Sequence, residues 1–345
     1  MSLSADALAW NRTRLNPFHP PRSGHLESTF IKCHDLEGRH ALWVKLTLFC
    51  PPQGGTGARA EAWAIAFDKD EAERIVAVKH QVDLSEARLV RMGGDPLEIA
   101  GTTFTGEHLR GEIFSGGSSV HFDLALTQID PVPLALYPAA LYRTPVPQTK
   151  QVSPVPDARA QGHVEVRTTH GSRRWQVQGW PAMQGHNWGT SHAHTYVWVH
   201  VNQWREPEGQ GLILEGASAR LKVGPFLTPE VSGLAVRHHG RTYAVRSPRD
   251  FAETRSTMEQ HRLWKFRARM DGAFAEGEFA LPERDTAGLY YPNPNGELTY
   301  CLNSKLAPVT LRWTPPGSRA VQLTSNCAAF EIGTRSPGHG VPMLL

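Results

Sequence analysis

The chain has 345 residues, 40% hydrophobic and 20% charged, which is enough for two domains with cores of their own and too apolar for a disordered polypeptide. Its net charge of +3 is spread along the sequence. Without a concentrated basic stripe, nucleic acid is not an expected partner. Four dispersed cysteines, Cys33, Cys50, Cys301 and Cys327, contain no Cys-x-x-Cys pair and read as buried free thiols rather than a disulfide scaffold or structural zinc site. Met1–Asn11 lacks a basic stretch followed by an apolar one, and no apolar run reaches about 18 residues. The expectation is therefore a cytoplasmic protein without a membrane-spanning segment.

Strand signals dominate the first half. Arg39–Cys50 alternates through Leu42, Val44, Leu46 and Leu48, then stops at Pro51-Pro52 and a glycine-rich turn, Gly54–Gly57. Ala60–Asp68 follows with Trp63, Ile65 and Phe67 on one face, which predicts a hairpin. Further strands are expected at Arg74–Gln81, Ala100–Thr105, Leu109–Phe114 and Ser119–Thr127, and one short helical turn at Asp70–Ile75. Seven prolines fall between Asp130 and Pro156. Because proline fixes φ and lacks a backbone donor, this stretch predicts an extended connection, with Leu134–Leu141 a loop or hinge, rather than a central strand.

Strands are then expected at Gly162–Thr169, Arg174–Gly179, His194–Trp204, Gly211–Leu221, Val231–His238, Arg241–Arg246, Gln260–Met270, Gly272–Leu281, Leu298–Leu302, Val309–Trp313 and Cys327–Gly333. So many short strands without interleaved helices imply an all-β protein. The expected division is 1–180, including the proline-rich connection 130–156, followed by 181–345. Oligomeric state is not encoded in any pattern we recognise.

One segment stands apart. Gln184-Gly185-His186-Asn187-Trp188-Gly189 leads through His192 into a strand whose one face carries His194, Tyr196, Trp198, His200, Asn202 and Trp204, while the other carries Val197, Val199 and Val201. Rings that each bear one polar atom suit a cavity for a large apolar ligand, the ring bodies giving contact area and the tips orienting polar ends. Packed core with paired polar tips, or a protein-interaction surface, are the plainer alternatives. His186, His192 and His194 form an incomplete set for zinc, since Pro181–Trp204 contains no Asp or Glu. There is no Gly-x-Ser-x-Gly, no Gly-x-Gly-x-x-Gly and no P-loop, so neither a serine hydrolase nor a nucleotide cofactor is expected. The acidic residues nearest in pattern, Glu215, Glu276 and Glu278, read as solvent-facing charges.

The Asn187-Trp188-Gly189 turn with its Trp-rich strand resembles the lipocalin-like superfamily of AttH-type proteins, hydroxyneurosporene synthase (carotenoid 1,2-hydratase) and tocopherol cyclase. Tyr137, Leu141-Tyr142, Pro145, Pro147, Lys150, Ser153-Pro154 and Cys301-Leu302-Asn303-Ser304-Lys305 extend the resemblance. It implies two lipocalin-like antiparallel β-barrels in tandem, and terpenoid or polyketide ligands held at or between them for hydration, cyclisation or isomerisation. It further implies that no metal or cofactor is needed. The expected ligand-binding residues are Asn187, Trp188, Tyr196, Trp198, Asn202 and Trp204. With no carboxylate in the segment, His186, His194 and His200 are the expected acids or bases. The expected function is binding, and conversion, of a large apolar isoprenoid-like molecule; the alternative is a non-catalytic lipid or pigment carrier.

Overall fold

The computed structural model describes residues 3–17, 19, 21–53, 55–91, 95–144, 147–223 and 226–345. Gly54 of the expected glycine-rich turn and Pro145 of the connection lie outside the described residues.

The first half contains helix α1 (Ala5–Trp10) and strands β1 (His25–His34), β2 (His40–Cys50), β3 (Arg59–Asp68), β4 (Ile75–Asp83), β5 (Leu97–Ile99) and β6 (Thr102–Phe104). It continues with β7 (His108–Ser115), β8 (Ser118–Gln128), β9 (Leu134–Ala135), β10 (Thr149–Thr168) and β11 (Gly171–Gly189). These strands form one antiparallel sheet in the order β4-β3-β2-β1-β11-β10-β8-β7-β6-β5, with β9 beside β10. The second half begins with β12 (Thr195–Val201), β13 (Ile213–Arg220), β14 (Lys222–Val223), β15 (Phe226–Leu227), β16 (Val231–His238) and β17 (Arg241–Ala244). After helix α2 (Pro248–Glu253) come β18 (Arg255–Glu259), β19 (Leu263–Met270), β20 (Ala273–Ala280), β21 (Ala287–Pro292), β22 (Leu298–Thr314) and β23 (Val321–Thr334). The second sheet runs β17-β16-β13-β12-β23-β22-β20-β19-β18, with β21 on β22, and β14–β15 form a separate hairpin.

The two antiparallel sheets realise the all-β, tandem architecture, but among the described residues neither closes through a continuous backbone ladder. In the first, the Lys79 N–H of β4 donates to Ser115 Oγ of β7 at 3.2 Å. In the second, the Ser232 and Ser256 hydroxyls meet at 2.8 Å. Each sheet curls around its own core: Leu46, Ala62, Phe122 and Val164 fill the first, and Val199, Trp264, Phe279 and Phe330 fill the second. A third cluster lies between the two, where Phe30, Trp43, Trp63 and Met183 of the first half meet Trp198, Leu289, Tyr291 and Leu306 of the second. Bidentate pairing of Arg74 with Asp285, at 2.6 and 2.9 Å, ties the halves at the edge of this contact. Among the described residues no helix is long and apolar enough to cross a membrane.

Four expectations change. Asp70–Ile75 holds turn and bend residues leading into β4 instead of a helical turn. Thr149–Thr168 is a central strand despite Pro154 and Pro156, because register shifts between Val152 and Val155, and between Val155 and Ala158, relieve the ladder where β10 changes partner from β9 to β8. Leu298–Leu302 and Val309–Trp313 are one bent strand, with shifts around Ala307 that accommodate Pro308. Residues 181–189, assigned from sequence to the second domain, pair with β1 in the first sheet. Sheet membership changes in the short link between Gly189 and Thr195.

Candidate functional site

Strand β12 divides its side chains by strict alternation. Val197, Val199 and Val201 enter the core of the second sheet. Tyr196, Trp198 and His200 point the other way, toward the first sheet. Two glycines make room for the rings: a Cβ at Gly333, the cross-strand partner of Tyr196, would occupy the Tyr196 ring, and one at Gly185 would occupy that of Phe30. Phe30 in turn meets Trp198 edge-on, with centroids 5.3 Å apart.

Where the two halves fail to touch, they leave a cavity of about 300 Å³. That is within the range of small-molecule pockets. The first half contributes Phe30, Trp43, Lys45, Gln151 and Asn187, and the connecting segment contributes Leu136, Tyr137 and Leu141. The second half contributes His192, Tyr196, Trp198, Ala217, Tyr291 and Glu331, with Val231 and Phe251 among the remaining wall. Leu141, Val231 and Phe251 are also exposed at the protein surface, so the wall continues from the interior to solvent. Leu134–Leu141 is more than a hinge, since Leu134 and Leu136 are buried against Ile213 and Ala235 of the second sheet.

Polar groups gather at one place on this apolar wall and at another just behind it. Glu331 accepts from Lys305 Nζ at 2.7 Å and Asn303 Nδ2 at 2.8 Å, with the Cys301 thiol 3.8 Å away. Burial lowers the Lys305 pKa, opposed by Glu331, and holds the Tyr196 and Tyr291 hydroxyls well above their ordinary values. Lys45, whose pKa burial brings to about 8, faces the same region. The second place is Glu215, fully buried, accepting from Trp198 Nε1 at 3.2 Å. Burial raises its pKa to about 7, opposed by the polar groups of Ser153, Trp198 and Gln151 around it. Its Oε2 has no partner among the described residues. The expected solvent-facing Glu215 is thus corrected: its strand face packs on the first half instead of meeting water.

Of the residues singled out from sequence, Asn187, Tyr196 and Trp198 line the cavity together. The others do not. His186 points into the first sheet, where its Nε2 lies 2.8 Å from Glu27 and its Nδ1 donates to the Trp10 carbonyl at 2.6 Å. Burial would raise Glu27, but hydrogen bonds from His186 and His25 bring its pKa down to about 2. Trp188 packs against Trp10, Tyr142 and the Arg14 guanidinium. His194 sits in a surface hollow with Lys222, Glu297 and Arg335. His200 shares the face of Trp198 but is sealed in the contact between the halves, donating from Nε2 to the Pro156 carbonyl at 2.9 Å; burial holds its pKa well below the usual value. Asn202 binds Asp157 and the Ala182 carbonyl, also inside that contact. Trp204 turns into the second core, donating to the Leu212 carbonyl, because β12 ends at Val201 and alternation stops there.

His192, considered only as a zinc ligand, does line the cavity. Asn293 Oδ1 accepts from its backbone N–H at 2.7 Å and from its Nδ1 at 2.9 Å, and burial lowers its pKa to about 3. His186, His192 and His194 therefore sit in three separate environments. Among the described residues the one grouping with metal-ligand spacing is His40, Asp68 and Asp70, whose carboxylates already take Arg173 and Arg39.

Two curled antiparallel sheets in tandem, with an apolar cavity where they meet, define the lipocalin-like tandem-barrel class. The chain belongs to the tocopherol cyclase-like family, whose profile matches residues 149–334. Solved structures of similar fold include the AttH protein of Nitrosomonas europaea, at 12% identity and TM-score 0.52, covering 94% of this chain and 97% of that one. CghA, solved with Sch210972, is 12% identical at TM-score 0.56, covering 90% and 88%. Kievitone hydratase from Nectria haematococca is 10% identical at TM-score 0.51, covering 96% and 95%. No protein with a curated description matches the chain by sequence.

Proposed function

We propose that this protein binds a large, apolar, isoprenoid-like molecule in the cavity between its halves and converts it by cyclisation, hydration or isomerisation. The observation that carries the reading is the cavity itself: about 300 Å³, walled by Phe30, Trp43, Tyr137, Tyr196 and Trp198, with few polar groups to fix orientation. Such a wall stabilises a folded conformer of a flexible chain and brings reacting atoms together.

Glu215 supplies what the sequence segment lacked. It is a carboxyl that keeps its proton near neutral pH, one side chain behind the cavity wall at Trp198 and Gln151. A general acid works best with a pKa near the working pH. The carboxyl at the wall itself, Glu331, is occupied by Lys305 and Asn303. Kinship with a cyclase-named family and likeness in fold to a hydratase support the same chemistry.

The test is a panel of C15 and C20 isoprenoid alkenes and prenylated phenols, followed by tryptophan quenching for binding and mass spectrometry for products. Binding with formation of an isomer or hydrated product is expected. Glu215→Gln should retain binding and lower turnover by about a hundredfold or more, the usual worth of a positioned acid. Ligands bound tightly and returned unchanged would refute conversion and identify a carrier; absence of binding across the panel would refute the cavity reading.

A further inference from the structure

Directly paired residues across the first sheet form a row on the face that meets the second half: Lys79 opposite Trp63, Trp63 opposite Lys45, Lys45 opposite Phe30, Phe30 opposite Gly185. Lys45 is the member of this row whose ammonium reaches the cavity floor. It lies 3.6 Å from the Tyr291 ring centroid, with Trp63 and Trp43 at 5.7 and 5.8 Å. The residue is only 5% exposed.

Its surroundings compensate its charge only at a distance, with Glu331 and Glu61 opposing the effect of burial. Among the described residues no carboxylate stands within ion-pair distance of Lys45. Glu331 is taken by Lys305 at 2.7 Å, and Glu61 by Arg59 at 2.8 Å and the Trp63 indole N–H at 3.1 Å. Lys79, 4.4 Å from the Trp63 centroid, adds a further cation to the row. Rings attract a cation, but weakly compared with an anion in the same desolvated place. A buried ammonium without a directly paired counter-charge is costly, and such groups gather where they are used.

We propose that Lys45 is the anchor for an oxyanion on the ligand: the molecule that occupies the cavity carries a carboxylate or other singly charged acidic oxygen at one end, seated on the side of the Lys45 ammonium turned away from the Tyr291 ring. The inference rests on the cavity being the ligand site. It orients the ligand, acid head toward Lys45 and apolar body along Tyr137, Leu141 and Val231 toward solvent. Neutral isoprenoids of the same length are discriminated against because they leave the ammonium unpaired.

The test compares three C15 probes on the full-length protein at pH 7: farnesoic acid, its methyl ester, and farnesol, each followed by tryptophan quenching. The acid is expected to bind at least tenfold more tightly than the ester or alcohol. In Lys45→Met, which keeps the stem and removes the charge, the three should bind alike, whereas Lys45→Arg should retain part of the preference. Equal binding of all three by the wild-type protein, or an acid preference that survives Lys45→Met, overturns the anchor while leaving the cavity reading intact. If none of the three binds, both fall together.

Discussion

Replacing Glu215 by glutamine gives a direct measure of how the interior of the site treats charge. The carboxyl has a pKa of about 7 where an exposed glutamate has 4.5. At ~1.4 kcal/mol per pH unit, holding it ionised costs the folded state about 3 kcal/mol above pH 7. Below pH 4.5 the group is protonated in folded and unfolded chains alike, and its contribution to stability is whole. Between pH 4.5 and 7 the unfolded chain gives up the proton while the folded chain keeps it, so stability falls with rising pH; above pH 7 the loss levels off. Glutamine is neutral throughout, and its amide oxygen still accepts from Trp198 Nε1. Glu215→Gln and wild type should therefore unfold in urea at matching midpoints near pH 4.5, while at pH 8.5 the variant should be the more stable by up to ~3 kcal/mol. A constant difference across pH, or a variant weaker than wild type at pH 8.5, would show that Glu215 is either solvated or paired with a cation and would remove the argument for a neutral acid.

Glu27 titrates with the opposite sign. Its pKa of about 2 means that stability is fully present above pH 4.5 and drains away as pH falls through 2; Glu27→Gln should cost about 3 kcal/mol at pH 7. Because its carboxylate also accepts from the backbone N–H groups of Arg14 and Leu15, hydrogen exchange at those two amides should accelerate; unchanged exchange would contradict this anchoring. Lys305→Met should destabilise the fold by about 3–5 kcal/mol by leaving Glu331 buried without its partner, and adding Glu331→Leu should recover most of the loss. A double variant as weak as the single one in denaturant titration would argue for a packing role instead.

The strand content was legible wherever one face of a strand is apolar and the other polar. Ser118–Gln128 and Ala273–Ala280 alternate, and both lie within a residue of their expected bounds. Strand β1 was invisible because all ten of its residues are buried, Glu27, Ser28, Thr29 and Lys32 among them, which erases the period-two signal. Prolines misled at β10 because a bulge, a tertiary feature, takes up the missing donors. For the site, the alternation of Tyr196 and Trp198 opposite three valines pointed to the face that lines the cavity. It could not say where that face ends, and so His200, Asn202 and Trp204 were included although only their neighbours meet the cavity. Lys45, Tyr291 and Glu331 come from three strands distant in sequence, and no local pattern links them. Glu215 was misread for one reason: a polar position on a half-buried strand was taken to face water, when the second half of the chain is pressed against the first.

The pairing of β1 with β11 has a consequence for biosynthesis. The first strand of this sheet in chain order finds its second neighbour only when the last strand of the sheet is made, so the earlier hairpins must wait with an unpaired edge and an unfilled interior. Rows of free backbone donors on a nascent β-segment invite pairing with other chains. Buried polar side chains along β1, notably Glu27 and Lys32, make that waiting edge a poor template for its neighbours. Side chains that brace the finished fold, Glu27 on the Arg14 amide and Lys32 on the Cys327 carbonyl, thereby also shield the unfinished sheet.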